Sequence, residues 1–280
     1  MGNMNKDELA EQEGRIKEKM AQVERVIVVM SGKGGVGKST IAVNLAYVLA
    51  LAGNNTVILD VDLHGPNVAK MLGVEDKTMV SSGWGLEAVL VRKNLSAVTL
   101  ACAGHEPDQP FIWRGPMKSA VIRQLLSDVN WGQLDYLIVD APPGTGDEHL
   151  SIFQSIPRVT GAIIVTTPQD VAVMDARKSI KFAEALKIPV LGIIENMSGF
   201  VCPHCGESVD IFKSGGGEQA ARELKVNFLG KVPLEAALVD CADKGQPFAA
   251  FEYQAPAAQA FMAIVDKIKE CVGDKEWHED

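Results

Sequence analysis

Short apolar runs rich in β-branched residues alternate with helix-period stretches along most of the chain. The runs are Val26–Met30, Thr56–Asp60, Ala97–Ala101, Tyr136–Val139, Gly161–Thr166, Val190–Ile194 and Phe228–Gly230. A strand with one wet face alternates polar and apolar residues, whereas a continuously apolar run is covered on both faces. Helices are predicted at Lys38–Ala52, Gly115–Val129, Asp147–Ser155, Val171–Leu186, Glu218–Leu224, Leu234–Ala242 and Pro256–Val272. This alternation predicts an α/β fold: a doubly wound, mostly parallel sheet with helices on both faces. Residues 5–24 are charged and proline-free, with scattered apolar positions at Leu9, Ile16, Met20 and Val23, and read as a solvated leading helix. No repeat or clear linker interrupts the pattern. One domain is expected over 25–273, preceded by the charged extension 1–24 and followed by an acidic tail, 274–280. Two inserted loops are expected around 76–114 and 197–217.

Between the first strand and the first long helix stand Gly32 to Thr40, G-K-G-G-V-G-K-S-T. Gly32, Gly37, Lys38 and Ser39 fill the G-x-x-x-x-G-K-[ST] phosphate-loop template in the strand–loop–helix context that it requires. Glycine lets successive backbone N–H groups turn inward around an anion, and the helix N-terminus faces the same charge. The expected nucleotide contacts are Gly32, Lys33, Gly34, Gly35, Val36, Gly37, Lys38, Ser39 and Thr40. Lys38 can reach the β- and γ-phosphates, and the Ser39 hydroxyl can join a Mg²⁺ shell. Lys33 is a second lysine that the minimal template does not need. At the lip of a phosphate cradle it can supply charge to a transferring phosphoryl group.

Tyr136-Leu-Ile-Val-Asp140 is an apolar strand that ends in a carboxylate, followed by Ala141-Pro-Pro-Gly-Thr-Gly146. Ligands in open α/β sheets gather at the carboxyl ends of strands, so Asp140 is expected to hold Mg²⁺, directly or through water. Gly144 is expected to bring a bare N–H to the γ-phosphate. The strand Val57-Ile-Leu-Asp-Val-Asp62 ends in two carboxylates, expected on opposite sides of the strand. Asp62, further out, is the candidate to orient an attacking water. Asp60 is the candidate to order the site.

Cys202-Pro-His-Cys205 is the second chemical site. By spacing alone it fits half a zinc site, a thiol–disulfide pair or part of an iron–sulfur site. His204 is read as a surface neighbour rather than a ligand. Two copies of the loop meeting on a twofold axis would supply four thiolates, enough for a [4Fe–4S] cluster. Cys102, Cys241 and Cys271 stand alone and are expected to be buried small hydrophobes. Trp113-Arg-Gly-Pro-Met117 is either a helix start, with Pro116 in the first turn, or part of an interaction surface.

The net charge of −9 argues against a phosphate-backbone DNA interface. No apolar run reaches the roughly 18 residues of a membrane span, and no basic-then-apolar signal segment opens the chain. The final predicted helix mixes Lys267 and Lys269 with Asp266 and Glu270, unlike a basic membrane-binding face. A cytoplasmic protein with reduced cysteines, no nucleic acid and no membrane partner is the expectation.

The loop with Lys33 and Lys38, the D-x-D strand and Asp140-Ala-Pro-Pro-Gly-Thr-Gly-Asp147 together resemble the deviant Walker A ATPases, which include MinD and ParA. Leu63-His-Gly-Pro-Asn67, Trp113-Arg-Gly-Pro-Met117, Asn196-Met-Ser-Gly199, the cysteine pair, Gly215-Gly-Gly217 and Gly230-Lys-Val-Pro-Leu234 narrow the resemblance to the Mrp/ApbC family. It implies an ATP- and Mg²⁺-dependent homodimer that carries a [4Fe–4S] cluster on Cys202 and Cys205. Apo iron–sulfur clients and cluster assembly factors would be its partners. It also implies that Lys33 reaches nucleotide across or near the dimer interface, and that Asn196 and the segment around Pro233 lie on the adenine side. The rival readings are a MinD- or ParA-like positioning switch and an ATP-binding protein with a structural zinc.

Overall fold

A computed structural model describes residues 6–62, 67–83, 85–103, 115–202, 204–252 and 254–273. The first half runs α1 (Lys6–Met20), β1 (Val23–Ser31), α2 (Lys38–Leu51), β2 (Thr56–Asp60) and a short α3 (Val68–Met71). Four short strands follow: β3 (Val80–Ser82), β4 (Gly85–Glu87), β5 (Val89–Arg92) and β6 (Leu95–Val98). Next come α4 (Gly115–Asp128), β7 (Val129–Asn130), β8 (Leu134–Pro143), α5 (Asp147–Ser155), β9 (Gly161–Thr166) and α6 (Asp170–Ala185). The last part holds β10 (Val190–Val201), β11 (Ser208–Val209), α7 (Gly216–Leu224), β12 (Phe228–Leu234), α8 (Ala236–Asp243), α9 (Phe248–Phe251) and α10 (Pro256–Val272).

The main sheet is ordered β12-β10-β9-β1-β8-β2-β6-β5, with β11 also on β10. Every neighbouring pair from β12 to β6 is parallel. The antiparallel pairs of this sheet are β5 on β6 and β11 on β10. The apolar runs explain this arrangement: all residues of β2 and β9 are buried, as a strand needs when helices cover both faces. β1 lies between β8 and β9, and the chain winds outward in both directions from it. The crevice at this reversal, over the carboxyl ends of β1 and β8, is where a doubly wound sheet binds its ligand.

Several expectations need correction. The leading helix stops at Met20, because Val23 and Glu24 already belong to β1. It is also not solvated all round. Ile16 and Met20 are buried in the core, and Lys19 Nζ donates to the Asp128 carbonyl at the end of α4, 2.9 Å away. The run Ala97–Ala101 is a shorter strand ending at Val98, followed by a 3₁₀ turn at Leu100–Ala103. Leu234 closes β12 instead of opening α8, since it pairs with Phe200 of β10. The loop expected around 76–114 contains β3 to β6, and the one around 197–217 contains the end of β10 and β11. Asp60 and Asp62 are not on opposite sides of one strand. Alternation puts residues two apart on the same face, and the two diverge because β2 ends at Asp60. Leu63–Pro66, Trp113, Arg114, Pro203 and the tail 274–280 lie outside the described residues; α4 does open at Gly115, which leaves Pro116 in its first turn.

The buried face of α1 gives a stability test. Ile16→Ala should lower the unfolding free energy by about 2–5 kcal/mol in denaturant titration. A loss below about 0.5 kcal/mol would mean that the helix is solvated after all.

Candidate functional site

The loop after β1 has the backbone that its glycines permit. Gly35 and Gly37 adopt φ of +78° and +81°, the left-handed region open to glycine. A Cβ at Gly32 would come within 2.3 Å of the Asp175 backbone of α6, so the cradle starts where only glycine fits. At the other end, Asn196 Nδ2 donates to the Val36 carbonyl at 2.9 Å. A Cβ at Gly37 would meet that same nitrogen at 2.2 Å. Asn196, implied as an adenine-side contact, thus buttresses the loop from β10. Pro233 is in β12, next to Val232, the register partner of Asn196. Gly34 and Gly35 are exposed, and Lys33, Ser39 and Thr40 are partly so, which leaves the mouth of the cradle open.

Below the loop lies a buried charge cluster. Lys38 Nζ sits 2.6 Å from Asp140 Oδ1 and 3.3 Å from Ser39 Oγ. Asp140 Oδ2 is buried with no hydrogen-bond partner. Asp60 is the in-register neighbour of Asp140 on β2. Burial pushes the Asp60 carboxyl well above its usual range, and the adjacent Asp140 charge adds to this. Burial raises Asp140 as well, partly offset by Lys38 and by the Ser39 hydroxyl. Asp60 also holds the segment that carries Asp62: its Oδ1 accepts the Asp62 N–H at 3.0 Å, and its Oδ2 accepts the Val68 N–H at 3.4 Å. That ordering role matches the expectation for Asp60. Asp62 itself stands beyond the strand and is half-buried.

The Gly144 amide corrects an expectation. It is not bare, because it donates to the Ser31 carbonyl at 2.9 Å and ties the loop after β8 to the end of β1. Gly144 has φ +94°, so the tie relies on glycine. To meet a phosphate, this amide would have to exchange partners. His149, just inside α5, is a group that the sequence reading missed. It is buried against Phe182, a ring N–H donates to the Pro142 carbonyl, and Nε2 has no partner. Burial holds the imidazole down at about 4, so it is neutral at pH 7.

β10 runs on from Asn196 to the cysteine pair. Glu195 is fully buried, and its carboxylate accepts the N–H groups of Gly215 at 2.8 Å and Gly217 at 2.5 Å, with the Ser198 hydroxyl at 2.5 Å. A carboxylate at the start of α7 complements the positive end of the helix. It also explains the triple glycine. Gly215 has φ +88°, a Cβ at Gly216 would strike the Pro168 carbonyl oxygen at 2.4 Å, and one at Gly217 would crowd Glu195 itself. Nothing in the sequence marked Glu195, an acid inside an apolar strand, as the anchor.

Cys202 and Cys205 sit on the turn between β10 and β11. Cys202 N–H donates to the Glu207 carbonyl at 2.9 Å, and Gly206 N–H donates to the Cys202 carbonyl at 2.8 Å. The Cys205 and His204 amides, with the Cys205 thiol, hydrogen-bond to the Cys202 sulfur and lower its pKa. Cys202 is half-buried, and His204 and Cys205 are exposed. Among the described residues no three His, Cys, Asp or Glu side chains gather to hold a metal ion, so one copy offers the pair alone. Cys102 and Cys241 are buried as expected, and burial pushes both thiols up. Cys271 is a correction: it is exposed near the end of α10.

Residues 22–269 match the family model described as the NUBPL iron-transfer P-loop NTPase. The chain belongs to that family. Membership carries the enzyme class with it, a P-loop nucleoside triphosphatase. An iron-sulfur cluster carrier protein from Methanocaldococcus jannaschii is 50% identical over 95% of this chain and 91% of its own. A cytosolic Fe-S cluster assembly factor homolog from Nematostella vectensis is 45% identical over 89% of this chain and 94% of its own. Among solved structures, a nucleotide-binding protein from Archaeoglobus fulgidus in complex with ADP superposes with a TM-score of 0.77. It is 37% identical and covers 89% of this chain and 96% of its own. In this chain β1, β8 and β10 bring Gly32–Thr40, Asp140 and Asn196 together at the carboxyl ends of the sheet.

The buried His149 makes the stability of this NTPase pH-dependent. An unfolded histidine takes up a proton below its ordinary 6.5, and the folded one only below about 4. The unfolded state therefore binds more protons in between, and stability falls as pH drops from about 6.5 to 4. Urea titrations across that range should show a loss on the order of 2–3 kcal/mol from this residue, absent in His149→Phe. An identical pH slope in the variant would contradict the assignment.

Proposed function

We propose that the chain is a cytoplasmic, homodimeric ATPase that carries a [4Fe–4S] cluster between two copies of the Cys202–Cys205 turn and passes it to apo-proteins. The observation that carries this reading is the path of β10. One strand holds Asn196, bonded to the nucleotide loop, and runs on to Cys202 on an exposed turn. Four thiolates complete such a cluster, and one copy supplies two, so a second copy completes the set. The names of the archaeal and animal relatives support the same cargo. The amides aimed at Cys202 favour the thiolate, which is the form that binds metal.

On this reading ATP occupies the loop 32–40 and Lys38 exchanges Asp140 for the phosphates. The orphaned Oδ2 of Asp140 beside the Ser39 hydroxyl fits a magnesium shell. Those two residues would hold Mg²⁺, which supplies neutralising charge to the phosphate oxygens. Lys38 and Lys33 stabilise charge that develops on the transferred phosphoryl group, with Lys33 near the dimer interface. Asp62 orients the attacking water and Asp60 keeps Asp62 in place. Asn196 and Pro233 flank the base side. Gly144 leaves the Ser31 carbonyl for the γ-phosphate, which couples nucleotide state to the loop ahead of α5. The unit that acts is a single domain over 25–273 together with α1, whose Ile16 and Met20 pack into its core, and 274–280 is an extension.

Anaerobic reconstitution with iron and sulfide tests the cargo. Wild type should take up about four iron and four sulfide per dimer, and Cys202→Ala/Cys205→Ala should take up none. Stoichiometric zinc without cluster, or cluster that survives the double substitution, would refute the assignment. For the chemistry, Asp62→Asn should keep nucleotide affinity while kcat drops by about 10²-fold or more. An unchanged kcat would remove Asp62 from the mechanism.

A further inference from the structure

A cleft of about 400 Å³ opens between α1, α4 and α5, outside the nucleotide and cysteine sites. Its size is in the usual range of small-ligand pockets. Two cations face it, Lys17 of α1 and Arg123 of α4. Neither forms an ion pair with a carboxylate among the described residues. The Arg123 Nε–H is buried and has no hydrogen-bond partner. A buried donor of a charged group is normally satisfied, and here the protein supplies no acceptor. Ser119, Ser151 and Ser155 add hydroxyls along the same wall, with Ser119 Oγ and Ser151 Oγ 2.6 Å apart across the α4–α5 contact. Glu13 is the one carboxylate in the lining, so the cleft keeps net positive charge. Ile16 and Pro157 give it an apolar part.

We infer that this cleft is a binding site for a small phosphomonoester. The donor set decides the head group. A guanidinium with a free Nε–H, an ammonium with three N–H groups and the Ser155 hydroxyl offer more donors than a planar carboxylate uses, and they suit the three terminal oxygens of a phosphate; Ser151 already donates to the Asp147 carbonyl and Ser119 to Ser151. The apolar part accommodates a short organic body. The site does not depend on the proposed cluster chemistry. Its floor is α5, which begins just past Gly144, so an occupant would touch the helix that follows the nucleotide-sensing loop.

Phenyl phosphate is a suitable probe, with benzoate as the matched carboxylate. Protein saturated with Mg-ADP, so that the loop 32–40 is filled, is titrated while ¹H–¹⁵N spectra follow the Arg123 Nε–H and the Ser119 and Ser155 amides. Phenyl phosphate should shift all three saturably. Benzoate should bind at least about fivefold more weakly. Arg123→Gln and Lys17→Gln should each weaken phenyl phosphate about tenfold, read at the serine amides; Lys17 is exposed, so its substitution leaves the fold intact. No saturable shift, equal binding of benzoate, or unchanged affinity in both variants would overturn the site.

Discussion

A single lysine buried among carboxylates is the constraint around which the rest of this structure is organised. Lys38 and Asp140 are almost fully buried at the carboxyl end of the sheet, and Asp60 is beside them on the next strand. One cation cannot offset two desolvated carboxylates, so burial drives the Asp60 carboxyl toward its protonated form. A buried pair of this kind gains little net stability, because desolvation of both partners offsets their attraction. Its value is functional. Lys38 is held under the glycine loop by Asp140, the partner that the proposed function has it exchange for phosphate. The raised carboxylates work against folding near neutral pH, since a group whose folded pKa is raised contributes stability only at lower pH. The buried apolar residues of the neighbouring strands, such as Ile27–Met30 of β1, offset that cost.

The second constraint is the rigidity of β10. It is paired on one side with β9 and on the other with β12, both in parallel register. Along it, Glu195 fixes the start of α7, Asn196 fixes the nucleotide loop, and Cys202 begins the cysteine turn. A displacement of the loop at Val36 therefore acts on a strand whose far end bears the thiols. The neighbouring tie, Gly144 to Ser31, links the same loop region to α5. Two sites joined through packed, hydrogen-bonded elements have a physical route for coupling, provided one of those elements has two arrangements. On the proposed function, the Gly144 amide, now bonded to the Ser31 carbonyl, is such an element.

Much of the architecture was legible because the strands are buried on both faces. Continuous apolar runs such as Gly161–Thr166 and Thr56–Asp60 have no alternative use, and both coincide with observed strands. The nucleotide loop was legible for a similar reason, since its glycines are required by φ or by close approach at Gly32, Gly35 and Gly37. What escaped the sequence depends on partners distant in the chain. The buried face of α1 exists only because α4 packs on it, and charge composition alone reads that helix as solvated. Glu195 and His149 are polar residues whose neighbours come from other elements, so no local pattern marks them. The β10 and β12 extensions arise from mutual pairing, which carries them past the ends of their apolar runs. Cys271 sits at the tail of an amphipathic helix, where one position of rotation separates burial from solvent.

The chain treats its thiols in two opposite ways, and the contrast bears on what the exposed pair is for. Cys102 and Cys241 are enclosed, and burial raises their pKa, which keeps them protonated and inert. Cys202 is turned the other way: backbone amides from His204 and Cys205 favour its thiolate, and the turn that holds it stands in solvent. A structural metal site is normally closed by four ligands from its own surroundings and shielded from exchange. Two thiols on an open turn, with no further ligands gathered beside them among the described residues, do the reverse. On the proposed function they share the centre with a second copy, and a shared, accessible centre can be given up to another set of thiols. Exposure that would be a defect in a structural site is what a carrier requires.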